Sequence, residues 1–156
     1  MRRRQRGLTT VEFAFAGVVV LVLLFAVIEI GRAMFVWNTL GEATRRAARL
    51  AAVCPPGHAS VLRAALLNNP DGSSTSNHIR GLTTANVSVE YLNGAGAATA
   101  VIGNMAFVRV SITGFTHTLL IPFLTQTLTV PPFRTTVPTE SLGYVPETGT
   151  RTCPGG

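Results

Sequence analysis

The sequence lacks the motifs by which most enzymes hold a phosphate, a nucleotide or a metal ion. It has no phosphate-binding loop, no dinucleotide fingerprint, no zinc-ligand spacing and no Gly-x-Ser-x-Gly nucleophile motif. Asp71 is the single aspartate, and the Pro-Asp-Gly turn in which it lies explains its presence. His58, His78 and His117 are scattered, so we expect them at the surface rather than as ligands. We therefore expect no catalysis by this chain, no cofactor and no metal site.

Cysteine is also scarce, since only Cys54 and Cys153 occur, near opposite ends of the region downstream of residue 53. The sequence leaves two states open, a disulfide or two unrelated thiols. A disulfide is the favoured state if this region lies outside the cytoplasm. It would close a loop of about 100 residues and stabilise the fold by up to about 4 to 5 kcal/mol in the chain-entropy model.

Basic residues outnumber acidic ones by thirteen to seven, which gives a net charge of +6. Their distribution argues against a nucleic-acid interface, because four of them lie within residues 2–6 and three within residues 45–49. A basic tail before an apolar segment is instead the pattern of the positive-inside rule, which keeps such flanks in the cytoplasm. We therefore expect a membrane protein with a cytoplasmic N-terminus and no nucleic-acid partner.

The longest hydrophobic run spans residues 13–28, directly after the basic tail. A secretory signal peptide would have a small-x-small cleavage site after its apolar core, and this run has none. As an ordinary transmembrane anchor it falls short of about 20 residues, unless it extends through Trp37 and includes Glu29 and Arg32. The latter two are spaced i,i+3 on a helix and can form an ion pair. We therefore place the transmembrane part at about residues 11–37.

Neither alternative explains Glu12, a carboxylate at the edge of the hydrocarbon segment. A third interpretation supplies its partner. If the chain is cut after Gly7, Leu8 becomes a new N-terminus with an ammonium group, and Glu12 lies four residues later on a helix. Gly7 suits the cut position because a residue without a side chain lets the backbone enter a narrow peptidase site.

Residues 7–53 resemble the TadE-like pseudopilins of tight-adherence (Flp-type) pilus systems in bacteria. The resemblance rests on four pieces in order: Arg-Gly before the cut, Val-Glu-Phe-Ala at residues 11–14, Ile-Glu-Ile-Gly-Arg at residues 28–32, and an Ala/Arg-rich continuation at residues 44–52. No single piece is specific, but their order and spacing cover about the first third of the chain. Ile30 departs mildly from the aromatic residue often found at that position.

The resemblance implies cleavage after Gly7 by a prepilin peptidase, so that residues 1–7 form a leader. It implies a minor pilin-like subunit without catalytic activity, stored in the bacterial inner membrane with its C-terminal domain in the periplasm. Its expected partners are membrane lipid, other pilin-like subunits and the pilus assembly platform. Glu12, with Phe13 beside it, is expected to neutralise the Leu8 ammonium during assembly. Whether the subunit later enters the pilus is left open.

The hydrophobic periodicity predicts an α+β fold in which the long N-terminal helix packs on a small antiparallel sheet. A helix is expected over residues 8–53, where a Cys-Pro-Pro-Gly sequence stops it, and a short one over residues 59–67. Residues 87–91 and 108–112 alternate as strands, and a third extended piece at residues 127–137 is interrupted by two prolines. Residues 54–156 therefore form an exported α+β domain with about three strands.

The apolar segment at residues 119–124 has two interpretations, core packing against the helix or a loop that dips into the outer leaflet or contacts a subunit. The function also has a rival. In that alternative, a single-pass anchor holds an extracytoplasmic binding module, and no processing occurs at Gly7. The identity of the mature N-terminal residue distinguishes the two functions.

Overall fold

The computed structural model describes residues 8–67, 74–120 and 126–153. Three of the features discussed above lie outside this described part. They are Gly7, the expected turn with Asp71 at residues 68–72, and residues 121–124 of the apolar segment 119–124. Two helices and seven strands are present within it. They are α1 (Leu8–Val53), α2 (Ala59–Ala65), β1 (Val87–Leu92), β2 (Phe107–Ile112), β3 (Thr116–Thr118), β4 (Thr127–Thr129), β5 (Phe133–Pro138), β6 (Tyr144–Val145) and β7 (Thr150–Arg151).

The α1 helix is 46 residues long, which corresponds to about 70 Å at 1.5 Å per residue. It ends at Val53 because the two prolines that follow Cys54 cannot continue the helical hydrogen bonds. Residues 9–28 are exposed except at two small residues, Gly17 and Ala26, which are half-buried. Contact with the rest of the protein therefore begins near residue 29 and continues to the C-terminal end of the helix.

The main sheet has the strand order β1-β2-β5, and both pairs are antiparallel. This confirms the predicted fold class, a long helix packed on a small antiparallel sheet. The third extended piece is divided at Pro131 and Pro132, as expected, into β4 and the edge strand β5. β4 pairs with β3, and β6 with β7, to form two short hairpins. The strand prediction included β4 but not β3, β6 or β7.

One face of the sheet packs on α1, and the other carries polar side chains. Val108 and Val110 of β2 are fully buried against α1 and α2, while their neighbour Arg109 points away and lies 3.7 Å from Glu90 on β1. Glu90 and Arg109 are register partners, so this ion pair crosses the two strands directly. The alternation follows from the two-residue period of a strand, which the sequence displays clearly here.

Steps of three and four residues along the sequence predict a mostly apolar stripe on α1, made of Ala33, Trp37, Leu40, Thr44, Ala47 and Ala51. The buried stripe in the structure differs from this prediction at its N-terminal end. Val36 and Leu40 are buried in a cluster with Phe115 and Ile112, whereas Trp37 is 46% exposed and meets the sheet only at its edge. There it makes a T-shaped contact with the ring of Phe133, with centroids 5.0 Å apart. Towards the C-terminal end the stripe is made of alanines, whose short side chains let the sheet and α2 approach the helix closely. These are Ala43, Ala47, Ala48, Ala51 and Ala52.

Candidate functional site

The N-terminal half of α1 presents its apolar side chains outward between residues 9 and 28. These 20 residues of helix are about 30 Å long at 1.5 Å per residue, close to the thickness of a bilayer's hydrocarbon core. Phe13 and Phe15 are 79% and 70% exposed, and no polar side chain interrupts the surface between Glu12 and Glu29. By length and composition this helix is able to cross a membrane.

Glu12 lies at the start of this surface, in the second turn of α1. Its side chain is exposed and forms no ion pair with any other described residue. Leu8 is the first residue of the helix and precedes Glu12 by four positions, so the backbone nitrogen of Leu8 and the Glu12 carboxylate lie on the same side of α1. The helix geometry therefore permits the charge contact expected after cleavage, and Gly7 itself lies outside the described residues.

The other end of the apolar surface is marked by a polar cluster of two buried residues, Glu29 and His117, and the half-buried Arg32. Glu29 is only 6% exposed, and its Oε1 lies 2.8 Å from Nη2 of Arg32 and 3.1 Å from Nε2 of His117. Arg32 Nη2 also donates to the carbonyl oxygen of Thr118. The two helical residues expected to pair are thus brought together, and a strand from the C-terminal domain joins them.

Donor and acceptor complementarity fixes how these groups are connected. A carboxylate only accepts hydrogen bonds and a guanidinium only donates them, so Nε2 of His117 carries the hydrogen that bonds Glu29. The approach of 3.3 Å between Arg32 Nη2 and His117 Nε2 is then a contact between two donors that share one carboxylate. Within the described part of the chain, buried Arg32 Nε has no hydrogen-bond partner. With a neutral imidazole the cluster has no net charge.

His117 corrects the expectation that all three histidines lie at the surface, because it is only 7% exposed. It occupies the middle of β3, where the period-two pattern turns one side chain inward between two exposed threonines. The sequence signal was the Thr-His-Thr alternation, but three residues are too few to identify a strand. A second hint was Glu29, since an acid in an apolar helix needs a partner.

The hairpin that carries His117 is held to α1 by apolar contacts at its base. Phe115 precedes β3, Val130 follows β4, and both are buried beside Val36 and Leu40. The amide of Val130 donates to the carbonyl of Phe115 at 3.0 Å, which closes the base of the hairpin. The polar cluster therefore lies one step further along the same hairpin, nearer the N-terminus of α1.

The apolar segment beyond β3 does not bear out the core-packing interpretation where it is described. Leu119 is half-buried, but Leu120 is 66% exposed. Leu128, on the paired strand, is 56% exposed. Hydrogen bonding of the hairpin continues as far as the Leu119 amide, which donates to the Gln126 carbonyl at 2.9 Å. Leu120 and Leu128 at this end of the hairpin thus remain largely uncovered by the described residues.

Directly after the C-terminal end of α1, Cys54 forms a disulfide with Cys153, and the Cα atoms of the two residues are 4.7 Å apart. The sequence had left the disulfide and two unrelated thiols as alternatives, and the structure contains the disulfide. The His58 imidazole lies within 4.8 Å of both sulfur atoms. This grouping is not a metal site in the disulfide form, because a bonded pair of sulfurs offers no thiolate and Nδ1 of His58 accepts from the Ser60 amide.

A charged face of α1 lies on the side opposite the sheet. Glu42 accepts hydrogen bonds from Nε of Arg46 at 3.0 Å and from Nε of Arg45 at 3.3 Å, contacts that the i,i+4 and i,i+3 spacings of a helix allow. These bonds hold the pKa of the Glu42 carboxyl below its usual value. Arg49 is also exposed. All of these side chains reach solvent, so the face forms part of the surface rather than of the core.

These features define a class of protein: an α+β chain whose N-terminal helix is apolar and unpartnered in its first half and carries a small antiparallel sheet on its second half. Residues 7–49 match the family model described as TadE-like protein. The match confirms the resemblance predicted from the sequence and covers most of α1 but not the C-terminal domain. No curated protein and no solved structure matches the chain significantly.

Proposed function

We propose that this protein is a minor pilin-like subunit that takes part in assembling a bacterial tight-adherence pilus and is stored in the inner membrane beforehand. The observation that carries the proposal is the exposed apolar half of α1 within a segment that matches the TadE-like family. A helical surface of this length needs lipid or other apolar helices around it. The proposed role is structural and includes no catalytic step.

The direction of insertion follows from charge. Four arginines lie within residues 2–6, on the N-terminal side of the apolar surface, and favour a cytoplasmic N-terminus. The sheet, the disulfide and the C-terminal segment then lie in the periplasm, where disulfides form and persist. The disulfide supports this orientation independently of the arginines.

Processing after Gly7 gives Glu12 its role. Cleavage by a prepilin peptidase leaves the Leu8 ammonium at the cytoplasmic edge of the apolar surface, where an unpaired charge is costly to move into an apolar environment. Glu12 neutralises this ammonium in its own chain or in a neighbouring subunit, beside the exposed ring of Phe13. During assembly, α1 exchanges lipid contacts for contacts with other helices, which rely on close packing and polar pairing.

The identity of the mature N-terminal residue tests the proposal. Mass spectrometry of the membrane-purified chain is expected to show Leu8 as its first residue. A Gly7→Leu variant is expected to retain Met1, because the larger side chain does not fit a site that accepts glycine. A wild-type chain that keeps Met1 in cells with an active prepilin peptidase contradicts the proposal and favours an anchored extracytoplasmic binding module.

The role of Glu12 is tested separately from insertion. Glu12→Ala is expected to leave the amount of membrane-inserted protein unchanged and to reduce pilus assembly by about tenfold or more, the effect of about 1.4 kcal/mol or more of lost charge pairing. Glu42→Ala is the matched control, since it removes an acid from the same helix outside the proposed membrane segment, where the Glu42 side chain is 47% exposed. Normal piliation of Glu12→Ala would remove the proposed role of this carboxylate.

A further inference from the structure

We propose that the β3–β4 hairpin is a second membrane contact, whose exposed leucines enter the periplasmic leaflet beside α1. This inference rests on the proposed insertion of α1 and adds a contact by the C-terminal domain. The polar cluster of Glu29, Arg32 and His117 acts as the positioning device, because it fixes the hairpin to the helix at the upper end of the apolar surface.

The hairpin runs along α1 towards the membrane. Phe115 packs at the level of Val36, and His117 reaches Glu29, which is seven helical residues closer to the N-terminus. Seven residues of helix rise about 10 Å. Leu120 lies three residues beyond His117, and an extended chain advances about 3.3 Å per residue, so Leu120 lies up to about 10 Å further in the same direction.

Exposed apolar side chains occur both on the hairpin and on α1 just below the point where the polar cluster joins them. Leu120 and Leu128 are exposed, as are Phe25 and Ile28 of the helix directly below the polar cluster. An exposed apolar patch of this kind requires a partner. Lipid is the partner argued here because the polar cluster attaches the hairpin to α1 directly above its apolar run, residues 13–28, which lies in the membrane in the proposed function.

The chemistry of the positioning cluster fits the membrane interface. Glu29 and Arg32 neutralise each other, and the backbone carbonyl of Thr118 satisfies a further guanidinium hydrogen. A paired and hydrogen-bonded cluster is far less costly near lipid than isolated charges. The hairpin has two strands and unpaired outer edges, so its backbone stays at the interface while the leucine side chains reach the acyl chains.

Tryptophan quenching by brominated phospholipids tests the inference. The full chain is placed in nanodiscs that each hold one copy, which excludes contact with a second subunit. Trp37→Phe provides the background, because Trp37 is the only native tryptophan and phenylalanine keeps an aromatic ring against Phe133. Into this background Leu120→Trp reports on the hairpin and Val22→Trp on the helix. Val101→Trp, at an exposed position outside the hairpin, is the matched control.

We expect brominated lipid to reduce Leu120→Trp fluorescence roughly twofold, as for a side chain in contact with acyl chains near the interface, and to leave Val101→Trp unchanged. If Val22→Trp is quenched but Leu120→Trp is not, the hairpin contact is wrong and the inserted helix stands. If neither is quenched, both the hairpin contact and the proposed insertion are wrong. Equal quenching of Leu120→Trp and Val101→Trp also overturns the inference.

The positioning role of the cluster has its own readout. Adding His117→Ala to the Leu120→Trp chain removes the hydrogen bond to Glu29 while Phe115 and Val130 still hold the base of the hairpin. We expect the quenching of the tryptophan at position 120 to fall while the quenching of Val22→Trp stays the same. Unchanged quenching at position 120 would show that the cluster does not set the position of the hairpin.

Discussion

Gly143 is a residue that the structure requires to be glycine for two reasons. Its φ of +74° lies in the left-handed region, and a Cβ atom there would overlap the carbonyl oxygen of Thr152 and lie 2.7 Å from Cδ of Pro55. The chain passes here between the C-terminal hairpin and the end of α1. The amide of Leu142, the preceding residue, contacts the carbonyl of Ala52 near the C-terminal end of the helix.

Gly143→Ala is therefore expected to destabilise the C-terminal domain much more than Gly149→Ala. Gly149 also has a positive φ, +65°, but no atom lies near its would-be Cβ. The control isolates the backbone penalty of about 1 to 2 kcal/mol, and Gly143→Ala adds a clash with backbone that cannot be relieved by side-chain rotation. Thermal unfolding of the detergent-solubilised chains measures the difference. Equal melting temperatures would contradict the close approach described here.

Tyr91 gives the fold a predictable response to alkaline pH. Its hydroxyl donates to the Ala51 carbonyl of α1 at 3.3 Å, and burial raises the pKa of the phenol. A raised pKa in the folded state means that the stabilisation is fully present below the unfolded pKa, near 10, and is lost as pH rises through the folded pKa. The folded protein is thus expected to lose stability above about pH 10 as Tyr91 ionises.

Tyr91→Phe is expected to cost about 1 kcal/mol near neutral pH, the net value of one hydrogen bond. Above about pH 10 it is expected to remove the part of the alkaline destabilisation that belongs to this phenol. Urea unfolding at several pH values measures both effects. Tyr144→Phe is the control, because it removes the other tyrosine and leaves Tyr91 in place. An alkaline loss that is the same in Tyr91→Phe and in the wild type would contradict the assignment.

At the scale of elements, the sequence pattern was sufficient to predict where an element begins and ends if that element was long. The bounds of α1 followed from an apolar run, an alanine stripe and the Cys-Pro-Pro stop, and those of β1 and β2 from their alternation. The hairpins β3–β4 and β6–β7 have strands of two or three residues, too short to show a period. Their positions depend on tertiary contacts, such as that of His117 with Glu29, which no local pattern encodes.

The dependence on tertiary contacts also explains why the structure leaves Trp37, a member of the predicted apolar stripe, partly exposed. Steps of three and four residues along α1 allow both Val36 and Trp37 as buried positions, and the sequence alone does not say which side meets the sheet. The structure buries Val36 because Phe115 and Val130 approach from that side, and Trp37 is left at the edge of Phe133. The lower part of α1 has apolar residues on all sides, as suits the lipid contact of the proposed function, so hydrophobicity defines the buried stripe only weakly.

Leu40→Ala tests how strongly the upper half of α1 is packed. Leu40 is fully buried between α1 and the sheet, and truncation of a buried leucine costs about 2 to 5 kcal/mol. Met34→Ala, on the same helix but 61% exposed, is expected to change stability by less than about 0.5 kcal/mol. Unfolding of the two variants in the same detergent gives the comparison. A similar loss for both would show that this part of the helix is not packed as described.

At the scale of the whole molecule, α1 connects two environments in the proposed function, and different interactions stabilise its two ends. The first half has no protein partner among the described residues, while the second half is the central element of the domain, with α2 and the sheet packed around it. The Cys54–Cys153 disulfide ties the last described residue to the end of this helix, across 99 positions of sequence. Insertion and folding of the domain are therefore separable properties of one helix.

The double substitution Cys54→Ser with Cys153→Ser is expected to weaken folding of the domain without changing insertion of α1 into the membrane. Loss of a disulfide that closes a loop of this length costs about 2 to 5 kcal/mol, so the domain should melt at lower temperature and become sensitive to periplasmic proteases. The amount of protein in the membrane should stay the same, because residues 8–28 lie outside the closed loop. Carbonate extraction measures insertion and limited proteolysis measures folding. A domain equally resistant to protease would show that the disulfide adds little, while loss from the membrane would show that insertion depends on the folded domain.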